Sequence, residues 1–157
     1  MTYRVRAEVT AAVPPSAAFR ALVDLPSQST WMLATRLYEL AGPVRSPEVG
    51  ARLAALTGIA GIGFLDTMEV TEYSAADRRW TVRHTGGFVR GTGEFAVAAG
   101  PDPDSCIVSW VEEVDPPFGL LGRLGWPVAA PVVRWGLAVS LRRLATGLTG
   151  GRLPVSA

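Results

Sequence analysis

Polar and apolar residues alternate along much of the first 115 residues, and this two-residue period most limits what the chain can fold into. In the segment 3–13, Tyr3 and Val5 alternate with Arg4 and Arg6. Successive side chains of a β-strand point to opposite faces, so the alternation predicts a strand with one buried face. The same reasoning predicts strands at 35–41, 50–58, 64–73, 78–85 and 106–114, and another strand after residue 87.

A glycine pair at 86–87 sets the predicted pairing of two of these strands. Two glycines between alternating segments are typical of a two-residue hairpin. That turn places His84 opposite Val89 and Arg79 opposite Glu94, so both faces of the pair match in polarity.

A short turn after residue 73 sets the pairing of the preceding strand. It places Asp66 opposite His84, Met68 opposite Val82 and Val70 opposite Trp80. All six side chains then share the inner face of the sheet, because neighbouring residues on paired strands point the same way.

Helical segments are predicted at three places. Pro15 suits the first turn of a short helix whose apolar side is Phe19, Leu22 and Val23, and a second short helix follows at 26–32. The segment 128–148 repeats apolar residues at spacings of three and four, which predicts a long helix. Its apolar positions are Val133, Leu137, Leu141, Leu144 and Leu148.

The segment 119–141 is the most apolar part of the chain. Arg123, Arg134, Pro127 and Pro131 interrupt it, so we expect core of a soluble domain there and no stable membrane insertion.

Length and composition favour one soluble domain over 1–148, followed by a flexible tail at 149–157. The net charge is +1 without a basic stripe, so we expect no nucleic-acid partner. The chain has no lysine, which excludes a Schiff-base lysine and a P-loop lysine. One cysteine and one histidine cannot form a disulfide or an ordinary zinc site. We therefore expect no metal or cofactor, and a reducing, cytoplasmic location.

Four sequence runs accompany this order of elements: D-T-M-E-V-T-E-Y-S-A-A-D-R-R-W (66–80), G-T-G-E-F (91–95), C-I-V-S-W (106–110) and S-L-R-R-L-A (140–145). With them the chain resembles the SRPBCC superfamily, the START-like group of polyketide cyclases, dehydratases and lipid-transfer domains. The resemblance covers nearly the whole chain. It depends on strand and turn residues, so it indicates fold more strongly than chemistry.

The resemblance implies an α+β helix-grip fold. In this fold a seven-stranded antiparallel sheet curves round a long C-terminal helix, two short helices follow the first strand, and an apolar cavity lies between sheet and helix. Members of the superfamily bind lipids, sterols or polyketides there; some cyclise or dehydrate polyketides, and others carry ligands without chemistry. The glycine-rich stretch 58–63 corresponds to a loop at the cavity mouth.

Asp66 and His84 are the candidate catalytic residues. A carboxylate beside an imidazole raises the imidazole pKa and orients the ring, which would leave the other ring nitrogen free to act as general acid or base. The alternative is a structural ion pair at the pocket mouth.

Glu112 is also predicted on the inner face, either as a polar anchor for a ligand hydroxyl or near the strand end, where it would reach solvent or an arginine. Cys106 shares this face about 10 Å from His84, two strand spacings away, and is interpreted as a small buried apolar residue. The predicted ligand-binding residues are Met68, Val70, Val82, Phe95, Val108, Trp110, Glu112, Leu137 and Leu141.

Three functions remain open from the sequence. The first is binding of a small hydrophobic ligand, a lipid or polyketide-like metabolite, in an internal cavity. The second is a polyketide cyclase or dehydratase that uses His84 and Asp66 to move protons. The third is a protein-interaction module. The sequence leaves the oligomeric state open.

Overall fold

The computed structural model describes residues 2–40, 48–59, 62–151 and 153. Seven strands and three helices follow one another in the order expected for a helix-grip fold. Their bounds are β1 Tyr3–Ala11, α1 Pro15–Val23, α2 Leu25–Trp31, β2 Thr35–Glu39, β3 Arg52–Ile59, β4 Ile62–Ser74, β5 Arg79–His84, β6 Arg90–Ala99, β7 Cys106–Asp115 and α3 Leu120–Thr149.

The strands form one antiparallel sheet in the order β1-β7-β6-β5-β4-β3-β2. Consecutive strands from β2 to β7 are neighbours, and β1 is the edge strand beside β7. The sheet curves round α3, and α1 and α2 follow β1 as predicted, so the helix-grip fold is confirmed.

Both predicted strand registers are wrong by two residues. His84 lies opposite Gly91 rather than Val89, because the β5–β6 turn takes in all of 85–89 and not the glycine pair alone. Met68 lies opposite His84, where Asp66 was expected. At His84 both shifts are of two residues, which keeps Asp66, Met68 and His84 on their predicted face, since the strand period is two.

The pairing of β4 with β5 contains an irregularity that the alternation does not reveal. The register shifts between Val70 and Glu72, so Tyr73 and not Val70 lies opposite Trp80. Such a bulge leaves one residue unpaired and increases the local twist of the sheet. On the outer face Arg79 still reaches Glu94, at 3.5 Å between Nη1 and Oε2, although the two residues are no longer directly opposite.

Helix α3 begins eight residues earlier than residue 128, at Leu120, and runs through Pro127 and Pro131. Both prolines are exposed, so water can hydrate the carbonyl groups that lose their helical hydrogen bond. The second half of the helix inserts into the core. Its buried apolar residues are Leu137, Leu141, Leu144, Ala145 and Leu148.

The first half of α3 corrects the expectation that 119–141 is core. Leu121 and Val128 are exposed there, and only 17% of the most apolar 18-residue window of this helix is buried. By length and composition alone α3 is the one helix among the described residues that could cross a membrane. The second half of α3 packs in the core. The helix could cross a membrane only if these core contacts were broken.

The glycine-rich stretch 58–63 is largely strand rather than loop. Gly58 in β3 faces Gly63 in β4, and a Cβ on Gly58 would lie 2.5 Å from the Ile62 carbonyl oxygen. The two backbones therefore approach too closely for any side chain. Residues 60–61, residue 41 of the predicted strand 35–41, and most of the predicted tail at 149–157 lie outside the described residues.

Candidate functional site

Asp66 and His84 meet on the inner face of the sheet. His84 Nδ1 lies 2.5 Å from Asp66 Oδ2, and both side chains are only 7% exposed. The contact is diagonal, because Met68 and not Asp66 lies directly opposite His84. The proximity predicted from the alternation is present, and both side chains of the pair are buried.

Glu112 completes the arrangement from β7. Its Oε2 lies 3.0 Å from His84 Nε2, and its Oε1 accepts a hydrogen bond of 2.7 Å from the indole Nε1 of Trp110. The Glu112 side chain is 13% exposed, so the expectation that it reaches solvent or an arginine is wrong. Both nitrogens of His84 are engaged, which also corrects the expectation of one free ring nitrogen. We call Asp66, His84 and Glu112 the inner triad.

Gly93 of β6 gives the triad the space it needs. His84 in β5 and Glu112 in β7 are two strand spacings apart, about 10 Å between backbones. The residues of β6 between them are Gly91, opposite His84, and Gly93, opposite Glu112. A Cβ on Gly93 would lie 3.0 Å from Glu112 Oε1. Because Gly93 has no side chain, Glu112 can reach His84 across the middle strand, whereas a Cβ on Gly91 would collide with the Glu113 backbone carbonyl.

The pKa of His84 reflects opposing influences. Burial is the largest single influence and lowers the pKa, because it disfavours the charged ring. Hydrogen bonds to Asp66 and Glu112, together with the charges of both, outweigh burial and raise the pKa from 6.5 to about 10. At neutral pH the ring is therefore an imidazolium that donates one N–H to each carboxylate.

One oxygen of the triad has no hydrogen-bond partner among the described residues. Asp66 Oδ1 is buried and unpaired, although Oδ2 of the same carboxylate binds His84. Gly86 lies beside this oxygen, and a Cβ there would come within 2.9 Å of it. A buried acceptor without a donor costs about 1–3 kcal/mol, so Oδ1 is a place where a bound molecule can gain by donating a hydrogen bond.

A cluster of four aromatic rings lies beside the triad. Phe95 is at its centre, with ring centroids 4.5 Å from Trp110, 5.2 Å from Trp80 and 6.3 Å from Trp31. The indole N–H groups of Trp31 and Trp80 are buried and have no partner among the described residues. The inner face therefore offers two unpaired donors as well as the unpaired Asp66 oxygen.

Three phenylalanines line the same end of the sheet. Phe88 stacks on Phe64 and meets Phe118 edge-on, both at 5.5 Å between ring centroids. Phe118 has a backbone φ of 65°, a left-handed conformation that costs a non-glycine residue energy. It lies between β7 and α3 and connects the triad end of the sheet to the first half of α3.

Most of the predicted ligand-binding residues lie within the hydrophobic core. Val70, Val108 and Leu141 are fully buried, and Met68 and Trp110 pack against the core as partly buried residues. Their contact with a ligand remains a prediction. The remaining core members of the predicted set are Val82, Phe95 and Leu137.

A cleft of about 550 Å³ lies elsewhere, at the edge of the sheet beside α2. It is lined in part by Met32, Arg36, Leu56 and Arg143, and none of the nine predicted ligand-binding residues lines it among the described residues.

Cys106 is buried and distant from the triad. It lies opposite Ala99, eight positions along β6 from Gly91, which corresponds to about 26 Å along the strand. The expected separation of about 10 Å is therefore wrong, and the interpretation of Cys106 as a buried apolar residue is confirmed. Burial raises the pKa of its thiol above the ordinary 9.0. In the described part of the chain, no group of three or more His, Cys, Asp or Glu side chains is arranged to hold a metal ion.

Sequence reasoning missed the roles of the β6 glycines, the Trp110 indole and Phe118. The G-T-G-E-F run contained the signal for the glycines, because two glycines on one face of a central strand leave space for side chains from both neighbours. Trp110 and Glu112 are two residues apart in one strand, so their side chains point to the same face. The alternation could therefore have predicted their hydrogen bond.

Comparisons with known proteins agree with this architecture. The protein TTHA0849 from Thermus thermophilus is 17% identical, with 95% of this chain and 99% of that chain covered and a TM-score of 0.75. The Zhui aromatase/cyclase from a Streptomyces species is also 17% identical, with 95% and 94% covered and a TM-score of 0.74. Truncated norcoclaurine synthase from Thalictrum flavum is 12% identical, with 95% and 94% covered and a TM-score of 0.69. At these identities the likeness shows the fold.

A search of curated proteins gave no match. A family model described as polyketide cyclase / dehydrase and lipid transport matches residues 2–149. The SRPBCC resemblance is thereby confirmed, and the chain belongs to the polyketide cyclase / dehydrase and lipid transport family.

Proposed function

We propose that the protein binds a small hydrophobic molecule that carries polar groups, such as a polyketide-like metabolite, at the inner triad. The observation that carries this proposal is the unpaired, buried Asp66 Oδ1 on a carboxylate already fixed by His84. A ligand hydroxyl that donates to this oxygen would gain a charge-assisted hydrogen bond in a dry environment.

The aromatic cluster supports the same class of ligand. Flat rings pack favourably beside Phe95 and Trp110, which already stack with their neighbours. The unpaired N–H groups of Trp31 and Trp80 suit carbonyl oxygens. A molecule with both hydroxyl and carbonyl groups fits this combination better than a hydrocarbon chain, so the observations favour a polyketide-like ligand over a simple lipid.

A cyclase or dehydratase activity is the second candidate, favoured by the strongly raised pKa of His84 at a buried site. Because both ring nitrogens bind carboxylates, His84 would act as a positioning residue that holds Asp66. The proton acceptor would be Asp66 Oδ1, which the histidine leaves free. The Zhui protein is an aromatase/cyclase, and a related chemistry is proposed for this chain on that likeness.

An interaction role is the third candidate, and the exposed first half of α3 favours it. A cytoplasmic location belongs to the same set of proposals, since the free Cys106 thiol suits a reducing compartment.

The ligand proposal is tested with a matched pair of probes, 2-naphthol and naphthalene, which differ by one hydroxyl. We expect the wild-type protein to bind 2-naphthol roughly tenfold more tightly by fluorescence titration. In Asp66→Asn the amide oxygen stays with His84 and an NH₂ group replaces Oδ1, so the preference for the hydroxyl is lost. Thr146→Glu, an exposed change on α3, leaves the preference intact.

Equal affinity of the wild-type protein for the two probes would contradict the proposal that a ligand hydroxyl binds Asp66 Oδ1. Native mass spectrometry of the purified protein then identifies the natural ligand. With that ligand, Asp66→Asn separates the two leading candidates: loss of turnover at unchanged affinity indicates the enzyme, and loss of affinity without any turnover indicates the binding protein.

A further inference from the structure

The first half of α3 exposes a row of large apolar side chains on its outer face. They recur at spacings of mainly three and four, so they follow one side of the helix. The opposite side packs on the core through Trp126, Ala130 and Val133, so the exposed row is not the core-facing side. We call this row the apolar stripe. It consists of Leu120, Leu121, Leu124, Val128, Val132 and Trp135, which are between 58% and 77% exposed.

The outer face of α3 changes character along its length. Beyond Trp135 it carries the half-buried Val139 and then Arg142, Thr146 and Thr149, all exposed and polar. Thr146 lies five helical turns after Val128 and therefore points in the same direction. A surface with no partner would be expected to be polar, and the exposed residues of this face after Val139 are polar. The difference indicates that only the first half meets an apolar surface.

The charged residues of α3 are all arginines. Arg123 and Arg134 are exposed and lie along one flank of it. Residues 116–157 contain no aspartate or glutamate. An apolar helical face flanked by arginine is the pattern of helices that lie in the interface of an anionic membrane, with the guanidinium groups at the lipid phosphates.

A second copy of the chain fits the stripe less well. In a two-fold antiparallel pairing centred on Val128, Arg123 of one copy would lie beside Arg134 of the other copy. No acidic residue on either helix could compensate this repulsion. Charge complementarity therefore favours an anionic surface over self-association.

The dimensions of the stripe favour lying on a membrane over crossing it. From Leu121 to Trp135 the helix rises about 21 Å, less than the roughly 30 Å of a bilayer core. The following turns contribute Leu137, Leu141 and Leu144 to the core and are unavailable to lipid.

We propose that the apolar stripe docks on the surface of an anionic lipid bilayer, with Arg123 and Arg134 reaching the phosphate groups. The inference rests on exposure and charge alone and holds whether or not the inner triad binds a ligand. It adds a consequence for ligand exchange: Phe118 and Phe88 join the stripe to the triad end of the sheet, so docking would bring that end to the membrane surface.

Co-sedimentation with vesicles tests the proposal. We expect the protein to sediment with vesicles of equal parts phosphatidylcholine and phosphatidylglycerol, and weakly with phosphatidylcholine alone. Val128→Glu should reduce partitioning by roughly tenfold, because a carboxylate replaces an apolar contact. The matched control Thr146→Glu adds the same charge on the same outer face, beyond the stripe, and should bind within about twofold of the wild-type protein.

The arginines are tested separately. Arg123→Gln and Arg134→Gln should each reduce the preference for phosphatidylglycerol by roughly fivefold. Absence of sedimentation with anionic vesicles, or equal losses in Val128→Glu and Thr146→Glu, would overturn the proposal. Sedimentation velocity without lipid completes the test, because a dimer that Val128→Glu disrupts would assign the stripe to a second copy instead. Circular dichroism confirms that each variant is folded.

Discussion

Charged side chains are usually exposed and large apolar side chains are usually buried. The inner triad reverses the first rule, and the apolar stripe reverses the second. The triad places two carboxylates and an imidazolium in the interior, with side chains 7% to 13% exposed. The stripe places leucines, valines and a tryptophan in solvent, at 58% to 77% exposed. The two regions adjoin through Phe118, whose ring contacts Phe88 just after the strand that carries His84.

The comparison shows which of the two unusual regions is stabilised by contacts within the chain. The buried charges are compensated within the chain, since His84 holds one carboxylate on each ring nitrogen and Glu112 also accepts from Trp110. Nothing in the described part of the chain covers the stripe, so its compensation must come from outside. Changes in the triad should therefore affect folding stability, whereas changes in the stripe should affect association.

The largest expected effect is the removal of one triad carboxylate. Asp66→Ala leaves a buried imidazolium short of a partner and should lower the free energy of unfolding by about 3–5 kcal/mol. The matched control is Glu69→Ala, which removes the exposed ion pair with Arg83 on the other face of the same strand and should cost less than about 1 kcal/mol. Urea unfolding measures both variants. Equal losses of unfolding free energy would show that the buried triad stabilises the fold no more than an exposed ion pair does.

The dependence of stability on pH is expected to be the next largest effect. The folded state holds a proton on His84 up to a pKa of about 10, whereas the unfolded chain releases it near 6.5. The stabilisation is therefore complete below pH 6.5 and is lost as pH rises through 10, at up to about 1.4 kcal/mol per pH unit.

Unfolding measured from pH 6.5 to pH 8.0 checks this slope and stays below the range in which the unfolded Cys106 thiol, with its ordinary pKa of 9.0, loses its proton. His84→Gln is the control and should show a flat profile. A wild-type profile as flat as that of the variant would contradict the account.

A smaller effect is expected from the hydrogen bond that supports Glu112. Trp110→Phe keeps the ring in the aromatic cluster and removes the indole N–H, which should cost about 1–2 kcal/mol. Trp135→Phe makes the same change in the stripe, where the side chain is 58% exposed, and should cost less than about 0.5 kcal/mol. Thermal unfolding of the two variants side by side gives the difference, and similar costs would remove the distinction between the regions.

The smallest effect on stability is expected in the stripe itself. Val128 is 77% exposed, so Val128→Glu should change the free energy of unfolding by less than about 0.5 kcal/mol. A loss of several kcal/mol in lipid-free solution would mean that the side chain is covered within the folded protein.

The alternation of the strands was enough to place Asp66 and His84 on one inner face. It did not give their register, because the turn at 85–89 and the bulge after Val70 each depend on tertiary packing rather than on the period. The prediction for this pair was still correct, because at His84 both pairings are displaced by two residues, which preserves the face.

Glu112 and α3 show where local patterns fail. Glu112 was expected to anchor a ligand or to reach solvent or an arginine, yet it meets His84 across β6, where Gly93 leaves the space. The spacing of apolar residues predicted α3 from residue 128, yet the helix begins at Leu120 and runs through Pro127 and Pro131, which lie on the exposed side, where their cost is small. In both cases the deciding factor is how neighbouring residues are arranged in the folded protein, which the spacing of apolar residues along one segment does not give.

The central claim is that a protonated His84 is held between two carboxylates in the interior. His84 is the only histidine in the chain, so its ring nitrogens can be followed without ambiguity by nitrogen-detected NMR. The account predicts that both ring nitrogens stay protonated well above pH 6.5, with both N–H protons in slow exchange and a midpoint near 10. A midpoint near 6.5 with a neutral ring at higher pH would contradict it.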